Sequence, residues 1–110
     1  MTPESCMTLA DSITPNRISA ALKRRWLTEL EGHILVCIQN HDPEALDIRG
    51  EEEEALYLSA PFPFDRMYYL YLLAMIDFYN GDVSRYEESA SLFNDALDEY
   101  AKWCKRERRS

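Results

Sequence analysis

His33 and Cys37 stand four residues apart, which puts an imidazole and a thiol on one face of a helix at the spacing of a zinc ligand pair. A closed site needs two more ligands, and only Cys104 and His41 remain as soft candidates. The pair therefore reads as a histidine at the edge of the core beside a buried cysteine. Cys37 also sits within Ile34-Leu35-Val36-Cys37-Ile38, an apolar setting that lacks the electropositive groups needed to make a thiolate nucleophile. Glycine-rich phosphate loops, HExxH and GxSxG do not occur in the sequence. No metal, no cofactor and no catalytic site is expected.

Among the carboxylates, those at positions 51–54 share one run, and Asp77 is the one acid inside an apolar stretch, Met67 to Tyr79. It lies one turn before a helix-stopping Asn80-Gly81-Asp82, with Arg85 just beyond. Asp77, Asn80 and Arg85 are thus expected to form a structural lock at a bend rather than an acid–base pair. Asn94, beside Phe93, is expected to fix register by hydrogen bonding within a helix seam. The tyrosines Tyr68, Tyr69, Tyr71, Tyr79, Tyr86 and Tyr100 can stack on bases, but on helices at these spacings they read as core and interface edge.

The elements that must position these residues are helical. Thr2-Pro3-Glu4 starts a short, loosely held helix over about 3–12, ended by Thr14-Pro15-Asn16. Ser19 caps a longer helix over about 19–40, whose stripe is Leu22, Trp26, Leu30, Ile34 and Ile38, with Lys23, Arg24 and Glu31 away from it. Pro61 and Pro63 bias their preceding residues towards extended backbone, so a central helix runs from about 64 to 80. Being apolar on nearly all sides, it must be covered on nearly all sides. Gly81 and Asp82 stop it and cap the next, amphipathic helix over about 82–106, with its seam at Val83, Tyr86, Ala90, Phe93, Leu97, Tyr100 and Cys104. The expected class is all-α, one domain over 1–110, with a C-terminal antiparallel hairpin and a long acidic loop at about 41–63.

The last helix is the longer of the hairpin pair, about 36 Å against about 25 Å at 1.5 Å per residue. Its C-terminal turns, with Tyr100, Trp103, Lys105 and Arg106, are therefore expected to be either packed by the first long helix or offered to another chain as an interface. Leu56-Tyr57-Leu58 is a second candidate contact, as an extended piece able to pair with a partner. The alternative is a solvated acidic loop whose apolar residues tuck back on the core.

A net charge of −8 disfavours nucleic acid, and the basic cluster Lys102, Lys105, Arg106, Arg108 and Arg109 complements the negative end of a helix dipole. Three cysteines at wide spacing, with no signal-peptide pattern ahead of them, point to free thiols in a reducing compartment. The longest near-apolar run is too short to span a bilayer, so no membrane role is expected.

The stretch Phe64-Asp65-Arg66-Met67-Tyr68-Tyr69-Leu70-Tyr71-Leu72, followed by Ile76-Asp77, Asn80-Gly81-Asp82, Arg85-Tyr86, Phe93-Asn94 and Tyr100-Ala101-Lys102-Trp103, resembles a family of small proteins from tailed phages and prophages of Firmicutes. Thr14-Pro15-Asn16 and Arg25-Trp26-Leu27-Thr28-Glu29-Leu30-Glu31-Gly32 resemble its early segment, so the likeness covers most of the chain apart from 41–58. Phe64 and Glu87 stand where tyrosine and asparagine are common in that family. The resemblance implies a non-enzymatic head-tail connector (adaptor), a ring of copies beneath the portal. Its partners would be itself, the portal, and tail or head completion proteins. It would be found in the virion, and in the bacterial host cytoplasm during assembly or as a prophage product. The other reading is a tetratricopeptide-like interaction module, from Tyr79-Asn80-Gly81-Asp82 between two amphipathic helices; a small residue would be wanted at Tyr86, and no second copy of the motif occurs.

Overall fold

The computed structural model describes residues 1–39 and 58–109. The expected contacts at Leu56 and Tyr57, and the acidic run at 51–54, lie outside the described residues. Among those described, the chain is all-α: helix α1 spans Pro3–Ile13, α2 Ala20–His33, α3 Arg66–Tyr79 and α4 Val83–Arg109.

Helix α1 starts at a reciprocal cap: the Ser5 backbone N–H donates to the Thr2 hydroxyl at 3.1 Å, and the Thr2 N–H donates to Ser5 Oγ at 3.1 Å. The expectation that α1 is loosely held is corrected. Cys6 and Ala10 are fully buried in the main core, and α1 packs on both α2 and α3. Small buried residues make a short apolar stripe that sequence periodicity registers weakly. At its C-terminal end, the Asn16 side chain closes the turn by donating to Asp11 and the Thr14 carbonyl and accepting from the Ile18 N–H.

Ser19 caps α2 through a 3.2 Å bond from the Leu22 N–H. The regular α-helix ends at His33. It changes at Ile34 into a π-helical turn, Ile34–Ile38, that closes with the Gln39 N–H on the Ile34 carbonyl at 2.9 Å. The wider turn brings Ile34, Leu35 and Ile38 all into the interior and turns Cys37 to solvent, which corrects the expectation of a buried cysteine there; His33 is exposed as well. Of the expected stripe, Trp26, Leu30, Ile34 and Ile38 are buried and Leu22 half-buried.

The chain re-enters the described region at Leu58 and reaches α3 through Pro61, Phe62 and Pro63, with a cis peptide between the last two. Helix α3 begins at Arg66, later than the expected residue 64, because Phe64 and Asp65 form a turn whose N–H groups donate to the Pro61 carbonyl. It is the central element, in contact with α1, α2 and α4. Met67, Tyr68, Leu72, Leu73, Ala74, Ile76 and Asp77 are buried on it.

Helix α4 returns antiparallel to α3. Ring pairs mark the register, from Phe78–Tyr86 at 5.4 Å near the bend, through Tyr71–Phe93 at 5.0 Å, to Phe64–Trp103 at 5.0 Å. Arg66 and Glu99 bridge the pair at 2.8 Å. With 14 residues in α3 and 27 in α4, α4 outruns α3 beyond Glu99, which faces the first residue of α3, and Phe64 ahead of α3 still covers Trp103.

Candidate functional site

Two polar networks and one apolar surface organise the residues that carry functional potential. The first network lies at the bend. Asn80 is the C-cap of α3, Gly81 takes φ 76°, and the Gly81 and Asp82 N–H groups donate to the carbonyls of Phe78 and Asp77 at 3.1 and 3.0 Å. That pattern, two crossed bonds closing a helix through a left-handed residue, is the geometry glycine adopts without strain. Asp82 then caps α4, accepting from the Arg85 N–H at 3.2 Å.

Behind this bend the Asp77 carboxylate is almost wholly buried. Ser89 Oγ donates to it at 2.7 Å, and Arg85 Nε stands 3.8 Å away. The structure thus brings Asp77 and Arg85 together, but the closer partner is Ser89, one turn further along α4. Arg85 spans outward as well: its Nη2 donates to the buried Thr14 hydroxyl at 3.1 Å, joining the end of α1 to the bend. Asn80 contributes through its backbone, its side chain being exposed. Asn94 is also exposed and does not lie in the helix seam, which corrects its expected role; Ala96 and Tyr100 occupy the buried positions nearby.

The second network was not foreseen from sequence. Glu31 is 0% exposed, and the Tyr68 hydroxyl donates to its Oε1 at 2.6 Å. The Ser59 N–H donates to its other oxygen at 3.1 Å, and the Ala60 N–H donates back to the Tyr68 oxygen at 3.0 Å. Burial and the Glu31 charge together push the Tyr68 phenol far above the ordinary tyrosine range. Gln39 extends the cluster, donating to the Tyr100 hydroxyl at 2.7 Å and to Ser59 at 3.1 Å. The segment 58–60 is therefore tied to α2, α3 and the end of the π-helical turn. Each acid accepts a hydroxyl from a neighbouring helix, Ser89 of α4 for Asp77 and Tyr68 of α3 for Glu31, an arrangement that fixes helix register.

These bonds overturn two expected contacts. Leu58 is buried in the core, as the tucked-back alternative has it, rather than offered to a partner, and Tyr100, 2% exposed, is a core residue whose hydroxyl is used internally. Trp103 is half-buried between Phe64 and Tyr100 rather than projecting. Lys105 and Arg106 are exposed as expected.

The apolar surface lies elsewhere. Phe78, Tyr79 and Val83, each more than three-fifths exposed, cluster in sequence around the bend, and Leu92 is exposed on the outer side of α4. Phe62 is the most exposed large apolar side chain among the described residues, at 87%. Exposed apolar residues are ordinary singly; of these, Phe78 also packs on Tyr86 and Tyr79 on Trp26, with ring centroids 5.4 and 6.3 Å apart. Among the described residues, no three His, Cys, Asp or Glu side chains gather to hold a metal, and no helix is long and apolar enough to cross a membrane. No family model, curated protein or solved structure matches the chain.

Proposed function

We propose that this chain is a non-enzymatic virion structural protein, a head-tail connector (adaptor) of a tailed phage or prophage, whose copies form a ring beneath the portal. The reading rests on the resemblance of the hairpin sequence, from Phe64 through Trp103, to that family. The observation that carries it in three dimensions is the solvent-facing group Phe78, Tyr79 and Val83 at the bend, side chains suited to burial against another protein. Tyrosine and phenylalanine supply large contact area at low entropic cost. In this reading the buried networks at Asp77 and Glu31 hold the hairpin rigid while its surface makes the contacts.

The tetratricopeptide-like alternative draws on the tight Gly81 turn. It fits less well because helices of 14 and 27 residues are too unequal for a stacking repeat. Light scattering of the purified protein with its cognate portal tests the proposal. A complex heavier than portal by many copies of this chain supports it. A chain that never engages portal contradicts it, and capture of a peptide along one helical face would favour the alternative.

A further inference from the structure

Along its solvent face α4 changes sign. Glu87, Glu88, Asp95, Asp98 and Glu99 are exposed along its first four and a half turns and Lys102, Lys105 and Arg106 beyond them, with Arg85 and Glu107 the exposed charges of opposite sign in each half. Asp98 pairs with Lys102 at 3.0 Å and Glu99 with Arg66 at 2.8 Å, which leaves Glu87 and Glu88 at one end and Lys105 and Arg106 at the other. The helix dipole accounts for charges only within the first and last turns. Glu87, Glu88 and the acids at 95–99 lie outside that range. Ser84, Glu87, Glu88, Ser91 and Leu92 share one exposed face of α4, on which Leu92 is 57% exposed.

We infer that this face is the docking site for the basic end of α4, Lys105 and Arg106, from a second copy of the chain, joined head to tail. The two patches lie about 27 Å apart along one helix at 1.5 Å per residue, so they cannot meet within a copy. Opposite charges placed in register between copies steer and orient association. A two-fold antiparallel pairing of α4 helices that matched Glu87 and Glu88 with Arg106 and Lys105 would also set Asp95 against Asp98 of the other copy, acid on acid. Head-to-tail docking avoids that clash, and repeated contacts of this kind close into a ring or extend as a filament. This inference deepens the proposed self-assembly by naming the surface, and it does not depend on portal binding.

Sedimentation velocity over a range of protein concentrations, at about 30 mM and about 500 mM salt, tests it with charge-swapped variants. The substituted residues are all exposed, and circular dichroism checks that each variant is folded. The wild type is expected to associate at low salt and dissociate at high salt. Glu87→Lys with Glu88→Lys, and separately Lys105→Glu with Arg106→Glu, are each expected to abolish association. An equimolar mixture of the two double variants is expected to associate again, because every contact then joins opposite charges. Either variant associating like the wild type, or a mixture that fails to recover association, overturns this surface while leaving the portal reading to its own assay. A wild type monomeric at every concentration and salt also overturns it.

Discussion

The Tyr68 hydroxyl donates a 2.6 Å hydrogen bond to Glu31, joining the first turn of the central helix α3 to a carboxylate from which solvent is excluded. The same oxygen accepts the Ala60 N–H, so one phenol satisfies two buried groups on different segments. Desolvating a carboxylate is costly unless donors replace its water, and here Tyr68 and the Ser59 amide do so. The stability of the region where α2, the 58–60 segment and α3 meet therefore depends on this phenol.

Tyr68→Phe keeps the ring and removes both bonds. It is expected to destabilise the fold by about 2 kcal/mol, the cost of leaving a buried acceptor and donor short of partners. Urea unfolding measures this as a lower midpoint at unchanged slope. A loss below about 0.5 kcal/mol would show that the phenol is dispensable there.

At the bend, the ranking of three substitutions distinguishes a hydrogen-bonded lock from an ion pair. Asp77→Ala is expected to cost about 2 kcal/mol, Ser89→Ala about 1, and Arg85→Ala less than 1, because Arg85 is half exposed and its charge is screened. Arg85→Ala matching Asp77→Ala in urea unfolding would instead make the ion pair the dominant contact.

Acid sensitivity should arise in part at Asp11. Burial raises its pKa, but hydrogen bonds from Lys23, at 2.6 Å, and Asn16 outweigh this and hold the carboxyl below its ordinary value. A lowered folded value means that the contribution is complete above the unfolded aspartate value of about 4 and is lost as pH falls through the folded one. Asp11→Asn is thus expected to destabilise at neutral pH, and the gap to wild type should close in acid. Thermal melts across pH check the sign, and a gap that widened in acid would be inconsistent with it.

Thiol chemistry should separate the cysteines. Cys37 is exposed on the π-helical turn, whereas Cys6 and Cys104 are buried, and burial pushes the Cys6 thiol up to about 12. A colorimetric thiol reagent is expected to modify Cys37 rapidly in the folded protein and the other two only on unfolding. Rapid native modification of Cys6, located by mass spectrometry, would show that α1 opens readily.

The hairpin was legible because its signals are local. An apolar run, an Asn80-Gly81-Asp82 stop and a seam spaced by threes and fours each act within a few residues. Asp77 stood out for the same reason, as an acid interrupting an apolar run. Glu31 and Lys23 did not. Both are long charged side chains on an amphipathic helix, where sequence assigns them to solvent, and their burial depends on partners contributed from elsewhere, Tyr68 and Ser59 for one and Asp11 for the other. Tyr100 was misplaced at an interface because the phenol's internal partner, Gln39, is 61 residues away. The π-helical turn has no sequence signature of its own; it reconciles a stripe that must bury Ile34, Leu35 and Ile38 together.

The central claim is that this chain works by assembling with copies of itself on a portal. Electron microscopy of portal incubated with the purified protein tests that most directly. The account predicts portal particles carrying an added ring of density built from multiple copies of this chain, lost when Phe78 and Tyr79 are both replaced by serine. Portal particles that remain bare at every protein concentration would contradict it.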